Sequence, residues 1–237
     1  MPQKWSDKDV EKHWDNVAGI YIAENNKVKK AHDQRFHFSI EKLNPVYSDN
    51  ILNVSSRDGE AAEFIRKHDT RIRITNAEIS QKLINVAGEA RPWLEQIKLD
   101  SYSKLPFPDG CFTKVLTLET LEHVAEPEEF LQELYRVSSA DAIMVLSCPP
   151  ATSEIPYRIF TALFGGHGEG PHKFPSSKQV KILLKSTKWK LIEHKGTVLL
   201  PVGPLFMQNA AEWIIDKMQK TFISELGIRQ FYVCKKH

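Results

Sequence analysis

LPFPDGCFTKVLTLETLEHV, Leu105 to Val124, is the stretch whose reading decides the fold. Leu105-Pro106-Phe107-Pro108-Asp109-Gly110 is a turn-rich lead-in, because proline and glycine punctuate regular structure. Phe112 to Leu118 is a short apolar run bounded by turn signals, the pattern of a buried strand. Glu119, Glu122 and His123 follow where the strand ends and a helix is about to begin. In open α/β sheets that edge is where ligands bind.

Working outward, strands alternate with helices. Asn50–Val54 (NILNV) reads as a first strand, Ser55-Ser56-Arg57-Asp58-Gly59 as a turn, and EAAEFIRKH as the helix after it. Strand, small-residue turn and helix is the unit that brings backbone N–H groups and a helix N-terminus to a ligand. Arg71–Thr75 alternates as a second strand, with Glu78 just beyond it and Ser80 capping the next helix. An acid about 20 residues after the turn can accept both hydroxyls of a ribose. Ile97–Leu99 is a third strand with Asp100 at its end. Pro127 opens a helix whose Phe130, Leu131, Leu134 and Val137 share a face. Ser138–Asp141 reads as a turn and Ala142–Ser147 as a fifth strand, stopped by Cys148-Pro149-Pro150. This alternation predicts right-handed βαβ units and a parallel sheet.

The flanks differ in character. Residues 5–43 read as two helices, the second ending before Asn44-Pro45. They form a cover on the core, or a lid from which His13, Tyr21, His32 and His37 reach inward. After Pro150 comes a glycine-histidine loop, Gly165–His172, then a helix capped by Ser176 or Ser177. Trp189–Ile192 and Thr197–Leu200 supply strand material, and Ile228–Cys234 a final strand. Leu205–Phe222 is amphipathic: Phe206, Ala210, Trp213, Ile214, Met218 and Phe222 fall on one side. That side is expected against the core or a dimer partner, with an apolar substrate or a membrane surface as the other readings.

The totals exclude several classes. With 237 residues, 41% hydrophobic and 26% charged, the chain has enough apolar material for a sizeable core. A net charge of +2 gives no reason to expect nucleic acid. Cys111, Cys148 and Cys234 are far apart, which argues against a disulfide framework or a zinc site and fits a reducing cytoplasm. The charged N-terminal stretch lacks an apolar core, so no signal peptide is expected. No run of about 18 apolar residues predicts a membrane span.

The order of signals resembles the class I S-adenosylmethionine-dependent methyltransferases, over about residues 50–200, and especially their small-molecule group that includes the ubiquinone and menaquinone pathway enzymes. Asp100 through Val124 and the helix after it carry the likeness: D-x(4)-LPFPD-x-x-F…LETLEHV-x-x-P-x-x-F-L-x-E-L-x-R-V. Ile74–Ser80 resembles that family's second-strand segment. The resemblance implies a Rossmann-like three-layer α/β sandwich. Its sheet has seven mostly parallel strands with one antiparallel, Ile228–Cys234 suiting that place. Residues 1–45 become an N-terminal helical cover and 46–237 the methyltransferase domain, with a substrate loop at 151–175 and a helical insertion at 204–226.

The resemblance also implies roles. S-adenosyl-L-methionine is the expected cofactor and a small molecule, lipid precursor or glycan precursor the acceptor. Glu78, with Ile79 beside it, holds the ribose; Asp100 and Ser101 meet the adenine. Asn53, Ser55, Arg57 and Gly59 stand where the family has an acid and three alternating glycines, and with Glu119 they line the methionine end. His123 is the expected general base, a neutral imidazole being available near neutral pH. Glu119, Glu122 and His123 could instead form a metal cluster, but no metal is expected. His167 and His172 are the expected substrate contacts. The departures at Asn53, Ser55 and Arg57 support a second reading, a catalytically impaired methyltransferase-like binding or scaffold protein. Nucleic acid is not an expected partner; peripheral membrane contact is allowed, as is a monomer or a homodimer.

Overall fold

The structure is a computed structural model that describes residues 5–158, 170–201 and 203–237. Among these residues the strands are β1 (Asn50–Val54), β2 (Arg73–Glu78), β3 (Gln96–Lys98), β4 (Phe112–Leu118), β5 (Ser138–Cys148), β6 (Trp189–Thr197) and β7 (Arg229–Lys236). They form one seven-stranded sheet in the order β3-β2-β1-β4-β5-β7-β6. β1 to β5 run parallel. β7 is antiparallel to both β5 and β6. The strand order reverses direction between β1 and β4, which leaves a crevice at their carboxyl ends.

Side chains alternate across a strand, so each strand feeds both faces. On β1, Leu52 and Val54 join one apolar cluster and Ile51 the other. On β5, Met144 and Leu146 face one side and Val145 the other. Both faces are covered, as parallel sheets require. α1 (Asp7–Lys27) buries Val10, Trp14, Val17, Ala18 and Tyr21 in the first cluster. Leu83 of α4 (Gln81–Ala90) joins it, as do Phe130, Leu131, Leu134 and Val137 of α5 (Pro127–Val137). Val180 and Leu184 of α6 (Ser177–Ser186) complete that layer. α2 (Lys29–Leu43) and α3 (Glu60–His68) cover the other face with Phe36, Ile40, Leu43, Ala61 and Ile65. The α1–α2 pair therefore passes from one face to the other over the carboxyl edge of the sheet.

Three local expectations change. The second strand is shifted to Arg73–Glu78, so Glu78 belongs to the strand and pairs with Lys98. Ser138–Asp141 is not a turn but the start of β5. Ser138 pairs with Phe112 across a register shift, and Asp141 takes a left-handed φ of 61°. Sheet pairing there overrides the turn preference of serine and aspartate. Trp189–Thr197 is one edge strand rather than two pieces, and its Glu193-His194-Lys195 is the polar sequence that an exposed edge tolerates.

The expectation that the Leu205–Phe222 stripe packs on the core is corrected: its helix, α7 (Leu205–Lys217), stops short of Phe222. Its apolar stripe faces solvent: Leu205, Phe206 and Met207 are exposed, as are Trp213 and Ile214. The face toward the protein buries Ala211 and Ile215 and ties Glu212 to Gln34 of α2 at 2.7 Å. The helix thus seats through few side chains. Ile215→Ala is expected to lower unfolding free energy by about 2–5 kcal/mol, the range for truncating a buried aliphatic chain. Trp213→Ala should stay within about 0.5 kcal/mol of wild type. Urea titration of both variants decides it; equal losses would mean that Trp213 is buried in solution.

Candidate functional site

The β1–α3 turn sits in the crevice. Its backbone takes the left-handed conformation at alternate positions, with φ of 55° at Ser55, 53° at Arg57 and 79° at Gly59. Glycine adopts this region freely, whereas a residue with a Cβ is disfavoured by roughly 1–2 kcal/mol. The turn is held by Ser56 N–H donating to the Ala77 carbonyl at 3.1 Å and Gly59 N–H to the Ser56 carbonyl at 2.7 Å. Asn53 faces Asn76 of β2, its amide donating to Asn76 Oδ1 at 3.0 Å. A cavity of about 430 Å³ opens beside this turn. Asn53, Ser55, Arg57, Glu119, Glu122 and His123 line its floor. Trp14, Tyr21, His32 and Phe36 of the α1–α2 cover, with Tyr157 and Phe174, form its largely apolar walls.

At the end of β2 the Glu78 carboxylate is fully buried. It accepts hydrogen bonds from the backbone N–H of Arg57 at 2.8 Å, Ile79 at 2.8 Å and Ser80 at 2.9 Å. Nη1 of Arg57 lies 3.7 Å from it. The Arg57 guanidinium stacks on Trp14 of α1, 3.7 Å from the ring centroid. Burial is the largest influence and works against this charge, but Glu78 together with Tyr102, Tyr21 and Glu122 outweighs it and holds the guanidinium above its ordinary range. Asp15 of α1 accepts from Ser80 Oγ at 2.6 Å and Lys82 N–H at 3.1 Å, fastening the cover to α4.

The end of β4 carries the second half. Glu119 has a left-handed φ of 51° and turns its carboxylate to Ser147 Oγ and to Nε of Arg229, 3.2 Å away. His123 is 1% exposed. Burial, reinforced by the nearby Arg57 charge, pushes its pKa well below the ordinary 6.5, so the imidazole is neutral. Nδ1 sits 3.0 Å from the Pro171 carbonyl, which can only accept. The proton is therefore on Nδ1, and the lone pair is on Nε2. Trp14 packs edge-on against the ring, 5.3 Å between centroids, and Trp5 Nε1 donates to the His123 carbonyl at 2.7 Å.

The expected residues divide into two groups. Asn53, Ser55, Arg57, Glu119 and His123 come together on the cavity. Glu78, Ile79, Asp100 and Ser101 do not line it. Asp7 at the start of α1 accepts from Ser101 Oγ at 2.6 Å and from Tyr102 N–H at 2.9 Å. Asp100 points to solvent. Gly59 is set back as the N-cap of α3. His172 does not line the cavity; it packs against Phe174 at a tilt, 4.7 Å between centroids, and His167 lies outside the described residues. Among the described residues, the acid and histidine atoms that converge within 4.8 Å are those of His32, Asp33 and Glu60. Lys29 already lies 2.9 Å from Asp33 there. Trp14 and Arg229, which line the cavity, were missed in the sequence. Trp14 was visible as part of the α1 apolar stripe; Arg229 carried no signal.

S-adenosylmethionine, the cofactor that the resemblance implies, presents two ribose hydroxyl donors, an adenine and a sulfonium cation. Glu78, the residue expected to hold the ribose, is already satisfied by backbone and Arg57, and Asp7 occupies the Ser101 hydroxyl and the Tyr102 N–H where the adenine is expected. The cavity has room at the methionine end. With α1 seated and Arg57 turned inward, the arrangement does not fit the whole cofactor.

Comparison with known proteins agrees with the fold. Residues 52–146 match the model of a methyltransferase domain family. Ajmaline N-methyltransferase of Rauvolfia serpentina is 29% identical over 101 residues, covering 41% of this chain and 35% of that protein. An uncharacterised methyltransferase of Schizosaccharomyces pombe is 34% identical over 101 residues, 38% of this chain and 36% of that one. The chain thus spans about a third of the length of these relatives. Among solved structures, the [4+2]-cyclase SpnF superposes with a TM-score of 0.71 at 14% identity, covering 100% of this chain and 98% of that one. Geranyl diphosphate C-methyltransferase from Streptomyces coelicolor A3(2) gives 0.67 at 13% identity, with 98% and 97% covered.

His32, on the cavity wall, provides a pH test. Burial is the main cause that lowers its pKa to about 4, against the Glu60 carboxylate 2.7 Å away. An unfolded histidine titrates near 6.5. Between those values the unfolded chain binds a proton that the folded chain refuses, so stability falls as pH drops. From pH 7 to 5 the wild type is expected to lose on the order of 2 kcal/mol more than His32→Asn. Urea melts at both pH values measure this; equal losses would mean that His32 titrates normally.

Proposed function

We propose that the chain, whose residues 52–146 match the model of a methyltransferase domain family, is an S-adenosylmethionine-dependent methyltransferase that methylates a small, largely apolar acceptor bearing an ionisable O–H or N–H. S-adenosylmethionine is the methyl donor of this domain class. The observation that carries the acceptor side is His123: neutral, with its proton held on Nδ1 by the Pro171 carbonyl, on the floor of an apolar cavity at the strand-order reversal.

In this reading Nε2 of His123 would take the acceptor proton; S-adenosylmethionine would supply the methyl group, its S–CH3 bond breaking as the acceptor–CH3 bond forms and S-adenosylhomocysteine leaving. Loss of that proton raises the nucleophilicity of the acceptor atom. Proton transfer to a positioned side chain is worth roughly 10²–10⁴-fold in rate. Trp14 and the Pro171 carbonyl keep the imidazole in one orientation, which is the positioning part of the effect. Glu122, buried with its Oε1 3.9 Å from Nε2, favours the imidazolium that results. Tyr21, Phe36, Tyr157 and Phe174 would hold the acceptor by apolar contact. Ajmaline N-methyltransferase and geranyl diphosphate C-methyltransferase are named for small-molecule acceptors, which supports that size class. The second reading, a methyltransferase-like protein without catalysis, is favoured by one observation, the engagement of Glu78 by Arg57.

A methyl-transfer assay with labelled S-adenosylmethionine against a panel of small amines, phenols and terpenoid alcohols tests the proposal. His123→Gln should lower kcat by about 10²–10⁴ on any accepted substrate, with cofactor affinity unchanged. A variant that keeps full kcat would remove His123 from proton transfer. A folded wild type that transfers to no member of the panel would favour the non-catalytic reading.

A further inference from the structure

Among the described residues, Arg57 makes fewer side-chain hydrogen bonds than the buried Arg91 or the partly exposed Arg136. A guanidinium has five N–H donors in a rigid fork, and structural arginines use most of them. Arg136 does: it donates to both carboxylate oxygens of Glu133 at 2.8 Å, to Asp109 at 2.7 Å, and to the carbonyls of Leu105 and Phe107. Arg91 reaches Asp58 and Glu63. The Arg57 side chain makes one long hydrogen bond, from Nη2 to the Glu119 carbonyl at 3.4 Å. Among the described residues no hydrogen bond reaches its buried Nη1. What surrounds the group is a π face, Trp14 at 3.7 Å, the Glu78 carboxylate at 3.7 Å, and the Glu119 carbonyl dipole. Tyr21 and the buried Glu122 add to the negative field.

An aromatic face with carboxylates and a carbonyl, but few directed acceptors, recognises positive charge rather than N–H geometry. That is the chemistry for a cation without donors, a sulfonium or a fully alkylated ammonium. The backbone points the same way. Arg57 sits at a left-handed φ of 53°, midway between left-handed Ser55 and Gly59, where a side chain is disfavoured and this one folds back over the strand ends. We propose that this cage is a subsite for a donorless organic cation, and that Arg57 is its resident occupant, which a cationic ligand must displace. The proposal rests on the methyltransferase reading in one respect: it takes the ligand cation to be the sulfonium of S-adenosylmethionine. Displacement frees Glu78 from its ion pair.

Calorimetric titration tests this with S-adenosylmethionine, whose sulfur is cationic, and S-adenosylhomocysteine, whose sulfur is neutral. Three proteins are compared: wild type, Arg57→Gly and Arg57→Gln, each checked for folding by circular dichroism. Wild type is expected to bind weakly and to favour the neutral ligand, because the resident charge repels the sulfonium. Arg57→Gly should bind S-adenosylmethionine roughly tenfold or more tightly than wild type, and the preference should shift toward the cation by a similar factor. Arg57→Gln, which removes the charge but keeps a Cβ in the left-handed position, should give part of that gain. Adding Trp14→Leu to Arg57→Gly should cancel the shift toward the cation. Tight wild-type binding that Arg57→Gly leaves unchanged or weakens overturns the proposal and leaves the methyltransferase reading intact. No binding by any of the folded proteins overturns both.

Discussion

The buried carboxylate of Glu78 is the constraint on which the site depends. A carboxylate with no access to water must be fully partnered, because an uncompensated buried charge is destabilising by several kcal/mol. Here three backbone N–H groups and the Arg57 guanidinium provide that partnership. The backbone donors come from two loops, so satisfying one carboxylate registers the β1–α3 turn against the end of β2. The guanidinium in turn needs a cover, and Trp14 of α1 provides its π face. One charge therefore links two strand ends, a strained turn and the N-terminal helix.

That linkage explains why the α1–α2 pair straddles the carboxyl edge. α1 belongs to one apolar cluster and α2 to the other, so the pair is fixed on both faces of the sheet. Between the anchors it roofs the crevice left by the strand-order reversal. The cavity beneath is apolar on the cover side and polar on the strand side, because Tyr21 and Phe36 face Asn53, Glu119 and His123 across it. Water is kept from His123, and its neutral form follows from that burial and from the Arg57 charge. The same arrangement that closes the Glu78 position thus keeps an imidazole unprotonated on the cavity floor.

Much of this was legible in the chain. The alternation of strand and helix from Asn50 to Cys148, the capping serines Ser80 and Ser176, and the Asp100–Val124 pattern together implied the sheet and its class. Local physics suffices for those features: period, capping and turn chemistry act within a few residues. The start of β5 at Ser138 was misread because strand pairing, a long-range effect, outweighs the turn preference of its serines and aspartate. The apolar stripe of α7 was visible, but not that it faces outward, since the stripe says which residues lie together and not what lies beside them.

At the site the division follows the same line. From sequence alone, Ser55, Arg57 and Gly59 stand at alternate positions of a ligand-binding turn, and Arg57 must either turn away or fill the space above it. Only the tertiary structure decided which. A side chain at that φ is aimed by the backbone, but whether a guanidinium stays there depends on the groups that meet it. Those are Glu78, 21 residues on, and Trp14, 43 residues back, brought within 4 Å by the sheet and by the helix that crosses its edge. Residue type and spacing determine chemistry within a turn; the balance between burying a charge and compensating it is set by neighbours that only the fold assembles.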